Sequence, residues 1–117
     1  MRVLVCGGRE YDDWRMLASS LGSIYKENGR LPLTIIEGGA KGADFLARVW
    51  AKWHGMSFEE YPADWKAHGK AAGGLRNQQM LDEGKPDIVI AFPGGTGTAD
   101  MTARARKANV RVIEVKF

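Results

Sequence analysis

Apolar residues recur along this chain in two alternating rhythms. Short, unbroken apolar runs stand at 2–6, 33–36 and 87–92, and weaker ones at 57–61 and 111–115. Continuous runs of this length, ended by glycine or proline, predict strands that are covered on both faces. Between them apolar positions return every three or four residues, the period of a helix. Trp14, Leu17, Leu21, Ile24 and Tyr25 predict a first helix, with Asp12 or Asp13 as its N-cap and Asn28-Gly29 as its end. Leu46, Val49, Trp50 and Trp53 predict a second over about 42–54, stopped by Gly55. A third is predicted over about 73–83, and a fourth over about 97–108 with Met101, Ala105 and Ala108 on one face. Residues 62–74 read as a long polar connection.

Strand and helix thus alternate from one end to the other. That order predicts an α/β fold: a single doubly wound domain over 1–117, with about five parallel strands and helices on both faces. Ligands of such sheets sit beyond the carboxyl ends of the strands, where strand order reverses.

Composition changes the picture in one respect. Glycine supplies 15 of 117 residues, well above its usual share of about 7%. The glycines cluster at 7–8, at 38, 39 and 42, at 69, 73 and 74, and at 94, 95 and 97. Gly7-Gly8, Gly38-Gly39 and Gly94-Gly95 each follow a predicted strand directly, so they are expected to meet on one edge of the sheet. There a helix N-terminus exposes unpaired N–H groups and the positive end of the helix dipole. Glycine lets an anion come close to them, and Thr96 and Thr98 add hydroxyls. The arrangement suits a phosphate or carboxylate. It matches neither G-x-x-x-x-G-K-[ST] nor G-x-G-x-x-G, because Lys41-Gly42 is in the wrong order and Asp100 stands where the last glycine would be.

Other features exclude more than they propose. The net charge of +3 comes without a basic run, and Arg104, Arg106 and Lys107 read as a solvated helix face. Nucleic acid is therefore not the expected partner. Cys6 is the sole cysteine, so no disulfide forms within the chain and no multi-cysteine zinc site exists. It reads as a buried strand residue rather than a nucleophile. No apolar run approaches the ~20 residues of a membrane span. The first strand starts at once, with no signal peptide before it. A cytoplasmic setting, with no membrane contact, is expected.

Several polar side chains border the proposed edge. Arg76 opens a helix, where its charge opposes the dipole. It is either a solvated arginine or a bidentate partner for phosphate. Glu10, Glu37, Asp44 and Asp100 lie near the same edge, Asp44 with the alternative role of charge stabilisation at a helix start. Trp65 reads as a core residue, with a stacking platform for a base as the alternative. His54 and His68 read as a helix terminus and a surface position.

Together these segments resemble a known family. "VCGGREY", "GGAKGAD", "ADWKAHGKAAGGLRN" followed by "M", and "PDIVIAFPGGTGTADM" look like the YspA-type branch of the SLOG superfamily, in the same order and over residues 2 to about 115. The resemblance implies a Rossmann-like fold. It also implies kinship with LOG-type phosphoribohydrolases, with DNA-processing DprA proteins and with sensors of NAD-derived signals. LOG-type enzymes carry R-K-x-x-M and P-G-G-x-G-T-x-x-E. Arg76 and Met80 match the first motif, with Asn77 in place of lysine. Pro93, Gly94, Gly95, Gly97 and Thr98 match the second, with Met101 in place of the closing glutamate. The phosphate-binding part is kept and one catalytic carboxylate is absent.

Three readings follow from the residues and the resemblance. The first is a module that binds a nucleotide or nucleotide-derived small molecule. Its contacts would be Gly7, Gly8, Arg9, Gly38, Gly39, Gly42, Asp44, Asn77, Pro93, Gly94, Gly95, Thr96, Gly97 and Thr98. The second is a LOG-like hydrolase that cleaves the N-glycosidic bond of nucleoside 5′-monophosphates. Arg76 would fix the phosphate, and Asp100, Glu37 or Asp44 would stand in for the missing glutamate, with no metal and no cofactor. The third is DprA-like binding of single-stranded nucleic acid. The Trp- and Ala-rich helices offer a surface for a homodimer or higher oligomer.

Overall fold

The structure is a computed structural model, and it describes residues 1–116. Five parallel strands form one sheet: β1 (Arg2–Cys6), β2 (Thr34–Glu37), β3 (Ser57–Glu60), β4 (Ile88–Ala91) and β5 (Arg111–Glu114). Their order across the sheet is β3-β2-β1-β4-β5. The chain winds outward from β1 to one edge, returns, and continues through β4 to the other. Strand order therefore reverses between β1 and β4, which pair with Val3 against Ile88 and Cys6 against Ala91.

Helices α1 (Trp14–Glu27) and α2 (Ala43–Trp53) cover one face. Leu17, Leu21, Ile24, Ala47 and Trp50 pack there on Val3, Val5, Ile35 and Ile90. Helices α4 (Ala72–Gly84) and α5 (Thr96–Lys107) cover the other. Met80, Leu81, Met101 and Ala105 pack on Leu4, Ile36 and Val89. The inner strands β1 and β4 are buried on both faces, as their unbroken apolar runs predict. The edge strands β3 and β5 are partly exposed, and their sequences are accordingly less apolar. Asp13 caps α1, accepting from the Met16 N–H at 3.0 Å.

Two local expectations change. The polar connection holds a short helix, α3 (Trp65–His68), and a 3-10 turn over Gly69–Ala71 before α4 begins. Asp64 caps α3 by accepting from the Ala67 N–H at 3.0 Å. A single turn made by a cap has no apolar period to betray it. Secondly, Trp53 is not on the buried face of α2 but 79% exposed. The face toward the sheet is Ala43, Ala47, Trp50 and Ala51, and the small alanines bring the helix close to the strands.

Candidate functional site

The loops after β1, β2 and β4 leave the carboxyl edge of the sheet side by side. The Gly8 N–H donates to the Pro93 carbonyl at 2.9 Å, fastening the first loop to the third. The Gly8 carbonyl accepts from the N–H groups of Tyr11 and Ala43, each at 3.2 Å, and so joins the first loop to the start of α2. This junction explains Gly42, which has φ +74 and would drive any Cβ into the backbone of Gly8 and Arg9.

The helix starts on this edge are not equivalent. At α2 the Ala43 N–H is taken by Gly8, and the buried Asp44 fills the first turn. At α5 the N-cap is Gly95, with no side chain capping it. The N–H groups of Thr96, Gly97 and Thr98 have no acceptor among the described residues, so the positive helix end stays open.

Arg76 stands beside this open end. Its Nε donates to Asn77 Oδ1 at 3.1 Å and its Nη1 to the Gly38 carbonyl at 2.6 Å. Nη2 makes no hydrogen bond among the described residues, so part of the guanidinium fork is held and part is offered. Arg76 and Thr96, Gly97 and Thr98 line one cleft of about 420 Å³, floored by Cys6 and Met80 and walled by Gly7, Gly8, Arg9 and Asp44. A second cleft of about 620 Å³ lies across the Gly8–Gly94 wall, bordered by Tyr11, Asp12, Met16, Pro93 and Lys116.

The acidic groups have distinct environments. Asp44 Oδ2 accepts from the N–H groups of Gly38 at 3.1 Å and Ala40 at 3.3 Å. Burial pushes its pKa up, opposed by those bonds and by the charges of Arg76 and Arg9. Its Oδ1 makes no hydrogen bond among the described residues. Asp44 is the one carboxylate lining this cleft among the described residues. Burial pushes the Cys6 thiol up to about 12, which leaves it unreactive at neutral pH.

Several expected site residues have polar partners outside the Arg76 cleft. Glu37, expected as a catalytic carboxylate, is fully buried and lines neither cleft. It occupies the strand position that points toward α2; Oε1 accepts from the Gly39 N–H at 2.6 Å, and Oε2 is buried without a partner. Asp100, another candidate, accepts from Asn77 Nδ2 at 3.0 Å and Arg104 Nε at 2.8 Å. Burial would raise its pKa, but these donors outweigh burial and hold it below the usual range. Asn77 also donates to the Gly97 carbonyl at 3.2 Å, so it clamps α4 to α5.

Gly38, Gly39 and Gly42 shape the β2 loop and are not among the residues lining either cleft, while Pro93 and Gly94 line the larger cleft and not the Arg76 cleft. Met101, where the LOG motif has glutamate, is 1% exposed in the same apolar cluster as Cys6 and Met80. Trp65 is not core: it is 49% exposed on the rim of the Arg76 cleft. The basic face of α5 is largely neutralised, with Arg104 on Asp100 at 2.8 Å and Arg106 on Glu114 at 3.2 Å. Met80 and Gly73, from the motif and the glycine cluster, also line the cleft, and Ala40 completes it with no signal in the sequence. Among the described residues no group of three or more His, Cys, Asp or Glu is placed to hold a metal ion. No helix among them is long and apolar enough to cross a membrane.

The sheet order, with a cleft at its reversal point, is that of a Rossmann-like α/β protein. The chain belongs to the YspA, cpYpsA-related SLOG family, whose model matches residues 1–68. Gene 61 protein of Mycobacterium phage D29 is 37% identical over 123 residues, covering 96% of this chain and 94% of the phage protein. Among solved structures, TM1055, a structural-genomics target, superposes with a TM-score of 0.72 at 18% identity, over 95% of this chain and 71% of that one. The UDP-GlcNAc 2-epimerase of Neisseria meningitidis, solved with UDP-GlcNAc, superposes with a TM-score of 0.59 at 15% identity, over 98% of this chain and 32% of that one. These structural likenesses agree on the fold.

Proposed function

We propose that this protein binds a nucleotide or nucleotide-derived small molecule, with a phosphate between the α5 N-terminus and Arg76. One observation carries the reading. Gly97, inside α5, is a glycine that the fold does not require: it has no positive φ, and a Cβ there would meet nothing within 4 Å. A glycine inside a helix costs up to about 1 kcal/mol relative to alanine. At an uncapped helix start, bare backbone is what a phosphate needs to reach the N–H groups. The open Nη2 of Arg76 supplies the countercharge. Membership of the SLOG family supports the nucleotide part, and the single buried cysteine fits a reducing cytoplasm. Thermal melts and calorimetry with AMP, ADP-ribose and ribose 5-phosphate test it. Stabilisation by at least one of them, lost in Arg76→Ala, is expected; no stabilisation by any at millimolar concentration would sink the reading.

A second reading is favoured by Asp44. Its free Oδ1 on the cleft wall offers a carboxylate to oxocarbenium-like charge at a ribose carbon, as a nucleoside 5′-monophosphate hydrolase needs. Release of free base, absent in Asp44→Asn, would establish it. Ligand recovered intact after hours at high protein concentration leaves binding alone.

A further inference from the structure

Trp65 is a large aromatic side chain in a polar connection, and nearly half of its surface is in water. Its position is nevertheless held on several sides. The Asp64 cap fixes the turn that carries it. Gly73, in the first turn of α4, lies beneath the ring edge, where a Cβ would sit 3.4 Å from the outermost ring carbon. Above the ring stands the guanidinium of Arg9, 5.6 Å from its centroid. Arg9 and Trp65 both line the cleft that holds Arg76 and the open start of α5.

Such a ring stabilises the fold less than a buried tryptophan would, and its exposed face is available to a ligand. The guanidinium marks the space over it as fit for a planar, electron-poor group. Every nucleobase has a face of this kind, and stacking on an aromatic side chain is tolerant of base identity. We propose that Trp65 is the stacking wall for the base of the ligand, which takes the place over the ring that Arg9 occupies in the free protein. The inference rests on the phosphate site described above and adds the ligand class: a phosphate joined through a sugar to a heteroaromatic base, rather than a simple sugar phosphate.

Calorimetry with two probes separates the two ideas. Ribose 5-phosphate reports the phosphate site alone, and AMP reports phosphate and base. The wild type is expected to bind AMP about ten- to a hundredfold more tightly than ribose 5-phosphate. Trp65→Ala is expected to erase that difference and leave ribose 5-phosphate binding unchanged, while Trp65→Phe restores most of it. AMP should quench a fluorescence component present in the wild type and absent in Trp65→Phe. Equal affinity of the wild type for both probes overturns the stacking role and leaves the phosphate site standing. Loss of both probes to the same degree in Trp65→Ala also overturns it, since the ring would then only support the cleft. Failure of both probes to bind the wild type overturns the phosphate site itself, and the stacking inference with it.

Discussion

Arg76 and Gly38 are 38 positions apart, yet the guanidinium Nη1 donates to the Gly38 carbonyl at 2.6 Å. The bond sets the arginine across the β2 loop, beside the open start of α5. A Cβ at Gly38 would run into the same guanidinium. Gly38 has no positive φ, and the obstructed group is the end of a flexible side chain. Gly38→Ala is therefore expected to fold normally, displace Arg76 and weaken phosphate binding by about tenfold or more, the scale of a lost charge-assisted hydrogen bond. Arg76→Lys should not rescue binding, because the anchored fork is lost. Calorimetry beside a thermal melt checks both; unchanged affinity in Gly38→Ala would separate Arg76 from the ligand.

The glycines of this edge are expected to divide into two kinds. Gly42→Ala, at φ +74 against the Gly8 and Arg9 backbone, should cost about 1–3 kcal/mol of stability or more. Gly97→Ala, inside α5, meets no atom within 4 Å and should leave the melting temperature unchanged or slightly raised while reducing ligand affinity. Urea denaturation and binding, measured on both variants, give the comparison. A strong loss of stability in Gly97→Ala would make that glycine structural and remove the main support for the phosphate site.

Glu37 gives the protein a pH dependence of known sign. Burial pushes its carboxyl from an ordinary 4.5 up to about 7, further raised by Asp44 and Glu60 and opposed by the Gly39 bond and Arg48. A carboxyl whose folded-state pKa is higher takes up a proton on folding between those values. Its contribution is thus complete below about 4.5, declines as pH rises through about 7, and is gone above it, for a total of up to about 3 kcal/mol. Glu37→Gln keeps an acceptor for the Gly39 N–H and removes the ionisation. Stability curves at pH 5 and 8 should converge in that variant, and the variant should exceed the wild type at pH 8. A wild-type slope that survives the substitution would assign the effect to another group.

The clamp between α4 and α5 should behave as structure. Asn77→Ala leaves Asp100 and the Gly97 carbonyl without their amide donor and is expected to cost about 1–3 kcal/mol. Asp100→Ala should cost less, because Arg104 also bonds Gln78 at 3.0 Å. If the hydrolase reading holds, Asp100→Ala should retain base release; its abolition with normal stability would return Asp100 to the chemistry.

Met101→Glu restores the letter of the LOG motif and tests whether position suffices. The side chain is 1% exposed among Leu4, Val89 and Ala105. A carboxylate there has no donor awaiting it, and a loss of several kcal/mol is expected. A stable Met101→Glu variant would mean that the cluster opens toward the cleft.

The order of strands and helices was legible from the sequence because the periods of 2–6, 14–25 and 87–92 are local properties of the chain. The glycine turns were legible for the same reason, since each follows its strand directly. So was the meeting of those turns on one edge, which a parallel sheet with helical crossovers requires. What each turn does there was decided by neighbours distant in sequence. Gly42 faces the Gly8 carbonyl and Gly95 faces open space, although the sequence around both shows only glycine after a strand. Glu37 and Asp44 are seven residues apart in number, at the two ends of one loop; Glu37 is fully buried and lines no cleft, while Asp44 reaches the cleft. Asp100 was taken up by Asn77 and Arg104, and Trp65 was lifted to the rim by a single turn of helix. Local sequence sets which backbone states are open to a segment. Which polar atom stays unpaired depends on the donors and acceptors that the tertiary fold brings within about 3 Å of it, and only the folded chain determines those.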